Sequence, residues 1–270
     1  MPRPAAIEPT PIGRHHALLT EFRRAFKAGP PPLLALEGPR VLSEAIRAGV
    51  RLDQVLFSRT GLAQLGPKLL PQFSKHTELA VADDAAFAAA MDAAHPQGVA
   101  ALAQFAASPL AAAFGSGAPA PLVLAAAGLQ DPGNLGTLIR AADAFGATGV
   151  VALADTASPF NPKCVRASAG SLFHLPVASK VPAADLVAAC RARGVRVVAA
   201  AARADLAPEA AQFEGPTCLL LGQEASGVPR ELLRAADAAV AIPMAREIDS
   251  LNAGLAGAIL LYEAARQRRR

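Results

Sequence analysis

The sequence predicts an α/β protein in two parts: a small α/β domain over residues 1–106 and a larger one over 121–270 built on a parallel sheet. Three observations lead there. Apolar strand candidates alternate with helical ones through the second half, the pattern of parallel strands covered on both faces. A shorter strand, helix, strand run opens the first half. Between them ASPLAAAFGSGAPAP replaces periodic sequence with small residues, Gly and Pro, and reads as a linker over residues 107–120.

In chain order, FRRAFKAG reads as a basic helix. Leu33–Leu36 is an apolar strand, and Gly38-Pro39 then turns the chain. Proline there falls in a first helical turn, where a missing N–H costs nothing. Gly49 lies where that helix should stop, before the strand RLDQVLFS. The helix DDAAFAAAMDAA and the apolar segment GVAALAQF complete the first domain. Beyond the linker the strands are PLVLAAAG, TGVVALAD, HLPVAS, VRVVAAAA, TCLLLG and AVAIPM. The helices between and after them are NLGTLIRAADAFG, NPKCVRASAG, PAADLVAACRARG, VPRELLRAAD and SLNAGLAGAILLYEAARQ.

Composition narrows the function classes. Hydrophobic content of 53% with 18% charged residues describes a folded chain. No run of about eighteen apolar residues suggests a membrane span, and MPRPAAIEPTPIGRHH lacks the apolar core of a signal peptide. Cys164, Cys190 and Cys218 are too scattered for a disulfide framework or a metal cluster, so a cytoplasmic protein without a metal is expected. The net charge of +4 is unevenly spread: residues 1–80 carry eleven Lys and Arg against six Asp and Glu, and QRRR closes the chain. A basic face suits a polyanion, and equally a solubilising surface. With no Trp and one Tyr, contact through phosphates and RNA shape is favoured over an aromatic stacking platform.

Ligands of open parallel sheets bind beyond the carboxyl ends of the strands, and three unusual loops fall there. The first is DPGN, within QDPGNLGTLIRAADAFG. Asn134 is a candidate N-cap, but the glycine spacing is not a dinucleotide fingerprint and no Walker lysine follows. Leu135, Leu138, Ile139, Ala142 and Phe145 form one apolar stripe, and Arg140 projects away from it, near Asp143. Periodicity favours an exposed arginine loosely paired with that aspartate. In the second loop, LGQEASGVP, Glu224 is either a helix-start carboxylate or a site residue. In the third, IPMAREIDSLN, Asp249 or Ser250 is expected to cap the last helix, with Leu251, Leu255, Ala258, Ile259 and Tyr262 as its buried stripe.

Taken together, DPGNLGTLIRAADAFG, SPFNPKCVRASAGSLFHLPV, LLLGQEASGVP and IPM…DSLN, in that order before a terminal helix, resemble the SpoU/TrmH family of RNA 2′-O-ribose methyltransferases over residues 121–267. LEGPRVLSEAIRAG, PQGVAAL and, more loosely, GRHHALLTEFRRA resemble the small ribosomal-protein-like substrate-binding domain that precedes the catalytic domain in many members. The resemblance implies a deep C-terminal trefoil knot and a homodimer. It implies S-adenosylmethionine held in the knot loops at Gly222, Ile242 and Leu251, with Met244 beside them. It assigns catalytic positions to Asn134, Arg140, Glu224, Ser250 and Asn252, each site being completed by the partner subunit's first motif. Ribosomal RNA is the expected substrate. Transfer RNA, or a catalytically silent RNA-binding role in ribosome assembly, is the alternative, and a nucleotide-cofactor oxidoreductase is disfavoured by the absent fingerprint. The sequence departs from the commoner family pattern at Gln223, Ala225, Arg246, Asp249, Ala253 and Gly254, and at His16-Ala17 in front.

Overall fold

The computed structural model describes residues 8–28, 33–118, 120–223, 226–246 and 250–269. It divides into two compact units, Met1–Ala106 with Phe160–Phe173, and Ala107–Pro159 with His174–Arg270.

The first unit runs β1 (Thr10–Pro11), α1 (Ala17–Ala28), β2 (Leu33–Glu37), α2 (Pro39–Arg47), β3 (Leu52–Ser58), α3 (Arg59–Leu69), β4 (Glu78–Ala82), α4 (Asp84–Ala90) and β5 (Val99–Gln104). Its sheet has the order β1-β4-β3-β5-β2 and is mixed, because β5 runs antiparallel to both β2 and β3. Helix α1 buries Leu18, Leu19, Phe22 and Phe26 against Phe87 of α4 and leaves Arg24 and Lys27 outside. Gly38, at a φ of 94°, makes the turn into Pro39, and Gly49, at 74°, follows the end of α2. Positive φ of this kind is open mainly to glycine.

Sequence reading did not anticipate α3 or β4. Gly61, Gly66 and Pro67 all lie inside α3, so local propensity argues against a helix there. Tertiary packing overrides it. Ser58 Oγ accepts from Gly61 N at 2.9 Å as the N-cap, and a Cβ on Gly61 would lie 2.0 Å from the Gly98 carbonyl oxygen.

The second unit holds β6 (Leu122–Ala126), α5 (Pro132–Ala144) and β7 (Gly149–Leu153). Helix α6 (Pro162–Ser168) follows but is grouped with the first unit, and β8 (Val177–Val181), α7 (Ala183–Ala192), β9 (Arg196–Ala200), β10 (Thr217–Leu221), α8 (Arg230–Ala235), β11 (Ala238–Val240) and α9 (Ala253–Arg268) complete the second. The strand order is β11-β9-β10-β6-β7-β8, every pairing parallel. Strands β6, β7 and β10 are buried at every residue, as strands covered on both faces should be. The expected α/β architecture with a parallel sheet is present.

Two boundaries differ from expectation. The segment Phe160–Phe173 belongs to the first unit although its sequence motif reads with the second. Phe105 packs edge-on against Phe160 and Phe173, with centroids 6.0 and 5.4 Å away, and Arg166 of α6 reaches Glu37 at 3.4 Å and Asp92 at 2.9 Å. Residues expected to form a linker instead form a short 3-10 turn, Leu110–Phe114, with Ala113 and Phe114 buried in the second core. Thr148 Oγ1 donates to the Ala113 carbonyl at 2.8 Å. A composition rich in small residues signals a flexible tether and a close-packed turn alike.

Helix α9 inverts its expected burial. Leu255, Ile259 and Tyr262 are 58%, 42% and 51% exposed, while Ala253, Gly254, Gly257, Leu260, Leu261 and Ala264 are buried. The small residues decide it. A Cβ on Gly257 would lie 2.2 Å from Leu138 Cδ2 and 2.6 Å from Leu221 Cδ1, so a larger residue there would displace those buried side chains from the face α9 sets against α5. At the far end Arg268 is not part of a loose basic tail. It donates to the carbonyls of Phe213 and Ala120 at 2.8 and 2.6 Å, and burial pushes its guanidinium pKa down, partly countered by Glu214.

Candidate active site

The loop after β6 is tied to the loop after β7. Gly128, at a φ of 72°, donates to Asp155 Oδ1 at 3.2 Å and to Thr156 Oγ1 at 3.1 Å, and Gln130 Nε2 donates to the Asp155 carbonyl at 2.9 Å. Asp131, not Asn134, caps α5, accepting from Gly133 N at 3.0 Å. Pro132 is the reason: it takes the first helical position and so moves the cap one residue before itself. Asn134 therefore sits inside the first turn of α5 instead of at its cap. Six residues on, Arg140 is exposed and has no hydrogen bond or ion pair among the described residues. The expected pairing with Asp143 is replaced by His174, whose Nδ1 lies 2.8 Å from Asp143 Oδ2.

Strand β10 delivers the second loop. A Cβ on Gly222 would fall 2.0 Å from the Gly227 carbonyl carbon and 2.2 Å from Val228 N, so the loop folds back across Gly222 with no room for a side chain. Gly227 N donates to the Gln223 carbonyl at 2.9 Å, and Gln223 and Ser226 are bonded side chain to side chain. Glu224 and Ala225 lie outside the described residues.

In the third loop the cap of α9 is Asn252. Its Oδ1 accepts from Gly254 N at 3.0 Å and Leu255 N at 3.3 Å, the satisfaction of first-turn donors that an N-cap provides. Asp249, one of the two caps expected, lies outside the described residues, and Ser250 is exposed two residues before the cap. The Asn252 amide nitrogen meanwhile donates to Asn134 Oδ1 at 3.0 Å. One side chain thus fixes the start of α9 and links it to the first motif, 118 residues away.

The second and third loops border a cavity of about 550 Å³ at the carboxyl ends of β9, β10 and β11 and the start of α9. Gly222, Ile242, Met244, Ser250 and Leu251 all line it, while Asn134, Arg140 and Asn252 do not. Leu221, Val240 and Leu260 make much of its wall apolar, and Gln223, Ser226 and Ser250 add a few polar groups, the usual make-up of a small-molecule pocket. Sequence reading missed the stretch Ala200–Arg203, which forms the wall beyond β9. Its position at a strand's carboxyl end was the available signal, but VRVVAAAARAD contains no distinctive motif.

A family model described as SpoU rRNA Methylase family matches residues 121–262. The chain belongs to the SpoU rRNA methylase family. A 23S rRNA (uridine(2479)-2′-O)-methyltransferase of Streptomyces viridochromogenes is 43% identical over 143 residues, 51% of this chain and 50% of that protein. The chain spans about half the length of the first curated relatives it matches. Solved SpoU-type structures extend the likeness to both units. The methyltransferase AviRb of S. viridochromogenes, in complex with AdoMet, has a TM-score of 0.82 at 31% identity and covers 94% of this chain and 99% of that one. An AdoMet-bound rRNA methyltransferase of Sinorhizobium meliloti has a TM-score of 0.82 at 28% identity, covering 95% and 97%.

Proposed function

We propose that this SpoU family chain is an S-adenosylmethionine-dependent methyltransferase acting on a ribose 2′-hydroxyl of ribosomal RNA in the cytoplasm. The observation that carries the reading is the cavity at the carboxyl edge of the parallel sheet, lined by Gly222, Ile242, Met244, Ser250 and Leu251, with Asn252 bonding Asn134 beside it. Supporting it are relatives named for 2′-O-methylation of 23S rRNA and likeness to AdoMet-bound structures.

The residues fit that cofactor. A mostly apolar slot suits an adenine ring and a thioether chain, and the two glycines of the second loop, Gly222 and Gly227, present main chain to the wall. When bound, S-adenosylmethionine supplies an electrophilic methyl on a positively charged sulfur. The protein must then hold the ribose hydroxyl in line and let it lose its proton as the new O–C bond forms. An arginine holds its own proton at neutral pH, so Arg140 acts by gripping the neighbouring phosphate and stabilising the forming alkoxide. Asn252, fixed by the α9 cap, positions Asn134; Glu224 and Ser250 orient the ribose and the cofactor tail.

Arg140 reaches no wall of the cavity in its own chain, and α9 presents the apolar row Leu255, Ile259 and Tyr262 outward. Both features suit a homodimer in which that row is buried and the Arg140 of one subunit serves the cavity of the other. Ile259→Glu is expected to give monomers by light scattering and to lose methyl transfer while retaining cofactor binding; an active monomer would remove the shared site. The finer architecture in this reading is a trefoil knot over roughly the last third of the chain, preceded by a ribosomal-protein-like RNA-binding domain (residues 1–106). On that domain Arg24, Lys27, Lys68 and Lys75 are exposed without ion pairs among the described residues. Mapping 2′-O-methyl sites in RNA from cells with and without the gene tests the substrate. A lost ribosomal site names the nucleotide, a lost transfer-RNA site redirects the substrate, and unchanged maps contradict the reading.

A further inference from the structure

Arg203 stands apart in the cavity. Strand β9 ends at Ala200, the Ala201 N–H still donates to the Val240 carbonyl at 2.9 Å, and the chain then bends at Ala202-Arg203 to pass along the cavity wall. Among the described lining residues Arg203 alone is ionisable; the rest are apolar or neutral. It is exposed and has no hydrogen bond or ion pair among the described residues, although Asp205 lies two residues away. Among the described residues nothing uses its charge. An unpaired guanidinium at the mouth of an apolar slot favours a ligand whose buried body is neutral and whose outer end carries an anion, and it matches a carboxylate in fork geometry.

We propose that Arg203 is the specificity residue that recognises the carboxylate of the cofactor's amino-acid tail, so that the cavity distinguishes adenosyl amino acids from adenosyl amines. This rests on the S-adenosylmethionine reading of the same cavity. Recognition by a guanidinium leaves the adenosine end to the apolar wall and main chain, so the two halves of the ligand answer to separate residues and can be tested separately.

The test is calorimetry on the full chain with three probes. These are S-adenosylhomocysteine, its decarboxylated analogue, which keeps the amine, and 5′-methylthioadenosine, which lacks the tail. The native protein should bind the first about tenfold more tightly than the second, as expected for one charge-assisted contact near solvent. Arg203→Ala and Arg203→Gln should each bring that ratio to about one while leaving 5′-methylthioadenosine affinity unchanged, and Arg203→Lys should keep part of it. Arg246→Ala, a basic residue of the third loop outside the cavity lining, should keep the full ratio. A ratio unchanged in both neutral variants overturns the proposal, as does loss of the ratio in Arg246→Ala instead. Loss of 5′-methylthioadenosine binding in both neutral variants makes Arg203 structural and overturns it too. So does weakened RNA binding with intact cofactor discrimination, which would assign Arg203 to a phosphate. If the native protein binds none of the three probes, it is the cofactor reading that fails.

Discussion

In the first unit β5 runs against β2 and β3, so strand ends of both kinds meet at each edge of the sheet. In the second all six strands run one way, and every strand-to-helix loop leaves by the same edge. Sheet direction, more than residue type, decides where a binding cavity forms, because parallel strands gather their outgoing loops in one place. Two glycines make the contrast concrete. A Cβ on Gly61 would meet the Gly98 backbone at 2.0 Å, and one on Gly222 would meet the Gly227 backbone at 2.0 Å. The steric demand is equal, but only Gly222 lines the cavity.

The largest expected effect belongs to neither glycine. Arg140→Ala should lower methyl transfer by about a hundredfold to a thousandfold or more, the range for losing a group that stabilises developing charge. Cofactor affinity by calorimetry should be nearly unchanged, because Arg140 is assigned to the RNA phosphate and the forming alkoxide and not to the cofactor; equal loss of both would make it a structural residue. Gly222→Ala and Gly61→Ala test the contrast itself. Each should destabilise the protein by about 1–3 kcal/mol in denaturant melts through forced overpacking. Gly222→Ala should also weaken cofactor binding by more than about tenfold, as its pocket wall must move, whereas Gly61→Ala should bind normally. Cofactor affinities that fall equally would erase the distinction between the two units.

A smaller effect is expected at the α9 cap. Asn252→Ala should cost about 1 kcal/mol of stability, the usual value for an N-cap, and should reduce turnover more than cofactor affinity by releasing Asn134. Asn252→Asp keeps a capping oxygen but cannot donate to Asn134. It should restore stability without restoring rate, which separates the two roles. The smallest effect lies in the first unit. Burial lifts the Glu37 carboxyl above its ordinary value of 4.5, with Arg166 and the Ala93 main chain pulling the other way, and its Oε1 has no hydrogen-bond partner among the described residues. The folded state therefore holds this proton more tightly than the unfolded state. Stability from this group should fall as pH rises from 4.5 through the raised value. Glu37→Gln should flatten that part of the stability–pH curve, with cofactor binding unaffected; an unaltered curve would mean Glu37 ionises freely.

How much of this was legible in the sequence differs between the units for physical reasons. Strands such as TCLLLG and TGVVALAD announce themselves because burial on both faces demands continuous apolar residues. Helix α3 was hidden because its glycines and proline oppose a helix locally, and only the close approach of Gly98 explains them. Helix α9 was recognised as a helix but its faces were exchanged. An apolar stripe built on Leu255, Ile259 and Tyr262 suggests a core, but the close contact at Gly257 turns that stripe outward. At the site, the motif order brought out Gly222, Ile242, Met244, Ser250 and Leu251, which share one cavity. The motif points to Asn252 as a site residue but not to its capping geometry, because a cap depends on where the helix starts. Arg203 carried no signal in a stretch of alanines.

The most direct test of the account is transfer of a tritiated methyl group from S-adenosylmethionine to unmodified ribosomal RNA by the native protein and by Arg140→Ala, with digestion to locate the label. The account predicts label on a ribose 2′-oxygen of ribosomal RNA with the native protein and none above background with Arg140→Ala. No incorporation by the native protein into ribosomal or transfer RNA, or label on a base instead of a ribose, would contradict it.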